Sequence, residues 1–403
     1  MSDYLPNDVV VEILARVPVR SLLRFTSVCK LWYSLITNPS FISTQLNRTI
    51  SNTTTTNNHL LFVRHYNMFQ DIGRYAIHFD NESLDVYMEL ECPFTTVNDY
   101  FRIVGVCNGL ICLSDDYDSH TDTVIIWNPS IRKSVNLPQP GLRFASHGMC
   151  LLGFGVDSLN DDYKVVRVLY EAENHNYKVP PSVEVYTLNT GTWRNISAAA
   201  STPFVLHGFF TLPTFLNGAV HWVASNCIDD NSFRSLIVGF DMGAEVFREM
   251  MLPESVAHTD VLKLSVSVRG TSLALTQYQK IWQSENCWVW VMKEYGVVKS
   301  WTKLFTIDMR EGIRTFMGFR SNNDVLLSAR VRGLVSYDPN IKQIKYLRIH
   351  GSNRSFYADS YVESLVLLKG ENRVLAQANS YHAISNGVAN ISVREEDRVE
   401  EQQ

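Results

Sequence analysis

Between residues 5 and 36 apolar side chains return at helical spacing, and beyond residue 59 they alternate in short runs, so the period changes near the start of the chain. Val9, Val10, Ile13, Leu14 and Val17 follow the i, i+1, i+4, i+5, i+8 rhythm of one helical stripe. Pro6 suits a first-turn position, Asp8 and Glu12 lie toward the positive end of the helix dipole, and Pro18 ends the run. A second helix is expected from Ser21 as N-cap through Leu22, Leu23, Phe25 and Val28. A third carries Leu31, Trp32, Leu35 and Ile36 until Asn38 and Pro39 stop it. Three such helices sit near the size, roughly 40 residues, below which a lone core is inadequate. Part of their apolar surface must meet something else, either the rest of the chain or another protein.

Residues 46–58 are rich in Ser, Thr and Asn and read as a polar linker. Beyond it come strand-like runs such as Val183 to Tyr186 and Cys287 to Val291, each bounded by turn formers. Two series of turns repeat. Gly109, Asp161, Gly218, Gly270 and Asn323 each open an apolar strand, at steps of 52, 57, 52 and 53 residues. Asp80, Asn128, Asn189, Asp241, Glu294 and Asp338 each follow an apolar or aromatic strand, at steps of 48, 61, 52, 53 and 44. The series interleave, so each unit of about 50 residues holds two hairpins, the content of a β-propeller blade. Asn and Asp serve such turns because their side chains bond backbone two residues on and they tolerate the left-handed conformation. Phe79, Trp127, Phe240 and Tyr337, which precede the outer marks, are expected to pack between blades. The apolar run in 362–370 is read as the strand that pairs with the one near Leu60 and closes the ring.

Composition narrows the function classes. A net charge of −5 over 403 residues gives no basic excess for nucleic acid or an anionic membrane. No stretch approaches the roughly 20 apolar residues of a membrane span, and Met1 to Leu5 lacks the basic and apolar regions of a signal peptide. Seven cysteines without repeating spacing agree with a reducing compartment, cytoplasmic or nuclear. The tail, 371–403, ends in mixed charge and reads as partly disordered. Catalytic signatures are poor. Gly153-Phe154-Gly155 lacks the third glycine of a dinucleotide site and is read as a turn, and no Walker-type or Gly-x-Ser-x-Gly motif occurs. Asp115, Asp116, Asp118 and Asp122 form an acidic loop without the glycine and glutamate of a calcium site. Cys107 and Cys112 read as core, and His221 as a satisfied or loop-facing residue rather than a ligand. No cofactor or metal is expected.

The run Leu5-Pro6-x-Asp8-Val9-Val10-x-Glu12-Ile13-Leu14-x-Arg16-Val17-Pro18, followed by Ser21 to Phe25, Val28-Cys29-Lys30-x-Trp32, Leu35-Ile36, Pro39 and Phe41, resembles the F-box motif. Thr26 and Ser27 depart from the pair often found in plant members without disturbing the apolar stripe. Residues 59–370 resemble the F-box associated, kelch-like domain of plant F-box proteins, through Asn108-Gly109-Leu110 and Trp127-Asn128-Pro129-Ser130. The resemblance implies an α+β multidomain chain: a three-helix F-box over 1–45, then an all-β propeller-like domain of about six blades. It also implies a substrate receptor of an SCF-type ubiquitin ligase, bound to a Skp-type adaptor and through it to cullin and RING subunits. The adaptor contacts it implies are Leu5, Pro6, Val9, Ile13, Leu14, Pro18, Leu22, Leu23, Val28, Cys29, Lys30 and Trp32, with Trp32 and Leu35 the residues most suited to a purely structural role. On the propeller, Tyr177, Trp282, Phe356 and Tyr357 are the aromatic candidates for target contact, in loops at one rim. Two other readings stay open: an adaptor-binding protein with a non-degradative or glycan-binding role, and a propeller metal oxidase.

Overall fold

The computed structural model describes residues 6–56, 59–67, 72–96, 101–115, 123–143, 148–171, 179–200, 204–207, 212–229, 232–280, 285–310, 312–330, 333–351 and 356–368. Four helices come first: α1 (Asn7–Leu14), α2 (Val19–Phe25), α3 (Lys30–Ile36) and α4 (Pro39–Thr56). Pro6 and Pro18 occupy the N-cap positions of α1 and α2, so α2 begins two residues before the expected cap at Ser21. α3 ends at Ile36, ahead of Asn38 and Pro39 as expected, and Pro39 then opens a further helix, as a first-turn proline does. The expected linker over 46–58 is helical as far as Thr56, which makes the helices four instead of three. The hydroxyls that suggested a loop bond back onto the helix: Thr44 Oγ1 donates to the Ser40 carbonyl at 2.8 Å, Ser51 Oγ to Asn47 at 2.9 Å and Thr53 Oγ1 to Thr49 at 2.8 Å. Gln45 and Leu46 bury the inner face of the helix.

Six antiparallel sheets follow. Blade 1 holds β1 (Leu60–Asn67), β2 (Ile72–Phe79) and β3 (Val86–Leu90), and blade 2 holds β4 (Arg102–Cys107), β5 (Leu110–Ser114), β6 (Val124–Asn128) and β7 (Lys133–Asn136). Blade 3 comprises β8 (Gly148–Asp157), β9 (Asp162–Glu171), β10 (Ser182–Thr187) and β11 (Thr192–Asn195). In blade 4 the inner strand is broken in two, β12 (Val205–His207) and β13 (Thr214–Leu216), both paired with β14 (Ala219–Asp229), beside β15 (Ser232–Asp241) and β16 (Val246–Met251). Blade 5 runs through β17 (Leu264–Arg269), β18 (Ser272–Tyr278), β19 (Asn286–Met292) and β20 (Trp301–Asp308), and blade 6 through β21 (Ile313–Phe319), β22 (Val325–Ala329), β23 (Gly333–Asp338) and β24 (Gln343–Tyr346). The last strand, β25 (Tyr357–Tyr361), returns to blade 1 and pairs with β1, Tyr361 opposite Leu60 and Tyr357 opposite Arg64. The inner strands touch one another around the whole circle, so this is a closed six-bladed propeller.

The repeating marks fall where the turns need them. Asn108, Asp161, Asn217 and Asn323 have φ of 51°, 50°, 51° and 70°, and Gly109, Gly218 and Gly270 have φ of 81°, 78° and 58°. In this left-handed region most side chains meet the following carbonyl, which favours Gly, Asn and Asp. The outer turns add side-chain acceptors: Asn128 Oδ1 takes the Ser130 N–H at 3.0 Å, Asp241 Oδ1 that of Gly243 at 3.0 Å, and Asp338 Oδ1 that of Asn340 at 2.8 Å. Trp127, Phe240 and Tyr337 lie buried between blades, while Phe79 stays exposed with its ring edge-on to Tyr87. Ionic links cross two of the seams. Lys164 Nζ, on blade 3, sits 2.8 Å from Asp157 and 2.9 Å from Glu245 of blade 4, and buried Arg320 of blade 6 bonds Asp80 of blade 1 at 2.7 Å.

Three expectations change here. The closing strand is β25, and residues 362–368 leave the sheet after it. Tyr357 to Tyr361, the former and the latter buried, make the strand by pairing with β1, whereas the run Val362 to Leu368, interrupted by Glu363 and Ser364, lies beyond it. Gly153-Phe154-Gly155 lies inside β8 rather than in a turn: a side chain at Gly153 would strike Trp222, and one at Gly155 would strike Phe215. Phe356 and Tyr357 are buried within the ring, Tyr357 6.1 Å from the Phe62 ring, which removes both as target contacts on a surface loop.

Candidate functional site: the outer face of the helices

α1 is apolar around most of its circumference, and only part of it finds cover. Leu14, with Ala15 just beyond, points inward with Val19 and Leu22 of α2, Ile36 of α3 and Phe41 of α4. Val9 and Ile13, one turn apart, face outward, and Ile13 is 48% exposed. The corner between α2 and α3 adds Val28, 61% exposed, and α3 itself exposes Leu31 and Tyr33. Large apolar residues exposed this far and this close together mark a binding surface rather than scatter. Salt links brace the face from behind: Arg48 of α4 reaches Glu12 of α1 at 2.7 Å, as does Arg16. The hydrogen bond from Arg48 and the charge of both arginines hold the Glu12 carboxyl below its ordinary value.

The twelve residues singled out in this segment divide by position. Pro6, Val9, Ile13, Pro18, Val28, Cys29 and Lys30 are exposed. Leu14 and Leu22 are core residues, and Leu23 and Trp32 are half-buried against that core, Trp32 with its ring 5.2 Å from Phe25. Leu5 lies outside the described residues. The Cys29 sulfur accepts the Trp32 N–H at 3.5 Å and so caps α3. Leu31 and Tyr33 escaped the sequence reading. They flank Trp32 and, two positions apart in α3, lie on nearly opposite sides of that helix, so no single outward stripe announced them.

The inward face of the helices rests on the propeller. Their core is completed by Ile131 from the outer turn of blade 2 and by Leu365, which is fully buried. Ser43 of α4 bonds Asp161 in the turn of blade 3, and Arg20 of α2 lies over the Tyr87 ring of blade 1 at 5.2 Å. The helices therefore cover the face that carries the Asn108, Asn128 and Asp161 turns. Strand direction puts the other ends of β5, β9 and β14 on the opposite face. There Phe233 is exposed at the start of β15, as are Val179 ahead of β10 and Leu262 ahead of β17. Tyr177 and Trp282 lie outside the described residues.

A cavity of about 230 Å³ opens at the ring centre, lined by Cys107, Asn108, Phe215, Asp359 and Ser360, with Ile50 of α4 at its rim. Burial pushes the Asp359 carboxyl up to about 6 in spite of the bonds it accepts from Tyr357 and Ser360. Cys107 is buried there, its thiol pushed up to about 12 by desolvation. His221 is buried between the Thr214 carbonyl, 3.3 Å from Nδ1, and the Tyr295 hydroxyl, 2.7 Å from Nε2, as a satisfied core residue. Among the described residues no three His, Cys, Asp or Glu converge as they would around a metal ion.

Comparison with known proteins places these two parts in known families. Residues 3–44 match the F-box domain, and residues 60–368 match the F-box associated beta propeller domain. The F-box protein CPR1 of Arabidopsis thaliana is 31% identical over 386 residues, covering 90% of this chain and 89% of its own. An F-box/kelch-repeat protein of the same plant is 30% identical over 317 residues, covering 75% and 79%. Among solved structures, TolB from Acinetobacter baumannii overlays with a TM-score of 0.39 at 10% identity, over 81% of this chain and 71% of that one, too slight a likeness to bear on function. With both signature domains matched in order, the chain belongs to the F-box proteins that carry an F-box associated β-propeller domain.

Proposed function

We propose that the protein is the substrate receptor of an SCF-type ubiquitin ligase. The exposed apolar residues of the helices, Val9 and Ile13 on α1 with Val28, Leu31 and Tyr33 at and on α3, are the observation that carries this reading, since they suit a helical partner and have no cover among the described residues. A Skp-type adaptor takes that face, and cullin and RING subunits follow through the adaptor. The propeller then holds a target protein on the face away from the helices, where Phe233, Val179 and Leu262 are exposed. The chain itself breaks no bond. It raises the local concentration of target lysines around the ubiquitin-loaded enzyme. The work belongs to the cytoplasm or nucleus, and the target is marked for proteasomal degradation.

Mixing the purified full chain with a recombinant Skp-type adaptor and cullin tests this. A stable ternary complex is expected on size exclusion, lost in Val28→Glu, a position so exposed that the free chain keeps its melting curve. A wild-type chain that elutes apart from the adaptor would overturn the reading.

A further inference from the structure

Residues 362–368 belong to neither domain alone. After β25 the chain passes over the Asn108-Gly109 turn, where a side-chain carbon on Gly109 would stand 2.6 Å from both Ser364 Oγ and the Val362 carbonyl. It then bends, with Leu367 at φ 75° and the Leu368 N–H on the Leu365 carbonyl at 2.9 Å. The bend is held by one side chain. Asn128 Nδ2, fully buried, donates to the Ser364 carbonyl at 3.1 Å and to the Val366 carbonyl at 2.9 Å. Ser130 and Tyr361 join their hydroxyls at 2.7 Å beside it. On the other side of the strap Leu365 enters the core of the helices, and Glu363 accepts from the Tyr87 hydroxyl at 3.1 Å with Arg20 Nε at 3.8 Å.

Turn closure alone does not ask for these residues. Asp241 and Asp338 close the same outer turn in blades 4 and 6 with a carboxylate, so the acceptor oxygen is enough there. At 128 the amide hydrogens are used as well, and a carboxylate would set an oxygen against two carbonyls. Gly218 and Gly270 face open space, whereas Gly109 faces the strap. The geometry points to a clasp: the Asn108-Gly109 and Trp127-Asn128-Pro129-Ser130 turns of blade 2 grip residues 362–368 so that Leu365 completes the F-box core. The F-box then depends on the propeller for its fold and is held in one orientation on it. An F-box set rigidly on the propeller fixes the span between target and adaptor, a consequence that rests on the receptor reading, whereas the clasp itself does not.

Hydrogen exchange on the full-length chain at pH 7.5 tests the clasp, with Asn128→Asp, Leu365→Ala and Asp338→Asn compared with wild type. Asn128→Asp keeps the turn acceptor and removes the two donors. Losing a fully buried leucine side chain at 365 releases α1 to α4 at least about 30-fold faster, the equivalent of about 2 kcal/mol at 1.4 kcal/mol per tenfold. Asn128→Asp is expected to speed the same helices at least tenfold, with blades 3 to 5 unchanged, and Asp338→Asn to leave the helices as they are. Adding saturating Skp-type adaptor should restore protection in both, because binding favours the folded F-box. Unchanged helix protection in Asn128→Asp and Leu365→Ala overturns the clasp, as does a loss spread equally over all six blades. Absence of adaptor rescue, with the helices selectively loosened, supports the clasp and counts against the receptor reading alone.

Discussion

Ile13 and Leu14 are neighbours with opposite fates, and substituting each by a charged or small residue separates binding from folding. Ile13 is 48% exposed, so close to half of its side-chain burial remains to be gained on contact with a partner. Complete burial of such a side chain contributes about 1.5–3 kcal/mol, so the contact adds about 1 kcal/mol. Ile13→Asp also forces a carboxylate into an apolar interface, at about 2–3 kcal/mol more. The sum, about 3–4 kcal/mol, weakens adaptor binding by a few hundredfold. The free chain loses little stability, since the introduced carboxylate can stay in water. Leu14 is 2% exposed, and Leu14→Ala leaves a cavity between α1 and the helices around it at a cost of about 2–5 kcal/mol. Titration calorimetry with the adaptor and thermal melts of both variants read the two effects apart. The assignment of outer and inner faces is refuted if folded Ile13→Asp binds within twofold of wild type, or if Leu14→Ala melts as wild type does.

The ring closure is testable on its own. Arg320→Met strands the buried Asp80 carboxylate and frees the Ser336 hydroxyl and the Asn81 carbonyl, so chemical denaturation should show a loss of about 3–5 kcal/mol; an unchanged midpoint would mean that the seam between blades 6 and 1 does not need the pair. Asp359 is a carboxyl whose folded value, about 6, lies above its ordinary 3.8, so its contribution is full below pH 3.8 and is lost as pH rises through 6. Asp359→Asn should therefore stabilise the chain at pH 7.5 by at most about 3 kcal/mol and have no effect near pH 3.5, and a lower midpoint at pH 7.5 would contradict the assignment. Ending the chain at Leu368 should leave the melt within a degree or two of wild type, because every strand among the described residues and the strap remain, whereas ending it at Phe356 removes β25 and should abolish the cooperative transition. Equal melts for the two truncations would point to an open sheet.

The propeller was legible because its turns are chemically restricted. Left-handed backbone at Asn108, Asp161, Asn217, Gly270 and Asn323 admits few residue types, and those types repeat at the blade period. Periodicity also located the helices but not their two faces, since α1 is apolar on both sides and only the partner surfaces, Leu365 and Ile131 among them, decide which side is covered. That contact joins residues about 350 positions apart, beyond any local pattern. α4 was hidden by its hydroxyls, which look like loop formers until their bonds to the preceding turn are seen. The closing strand was displaced for a related reason: counting apolar residues favours Val362 to Leu368, while the less apolar Tyr357 to Tyr361 is made a strand by its distant partner β1. Aromatic residues near loops pack inward as readily as outward, and Phe356 and Tyr357 did so.

The central claim is delivery of a target for degradation, and the most direct test compares cells expressing the full-length chain with cells expressing Ile13→Asp at the same level. The variant keeps the propeller and loses the adaptor, so it occupies the target without presenting it. Quantitative proteomics, with proteasome inhibition as reference, should find at least one protein that both chains capture and that rises with the variant and with the inhibitor. If the wild-type chain co-purifies with adaptor and cullin yet no captured protein rises under either condition, the degradative role is contradicted.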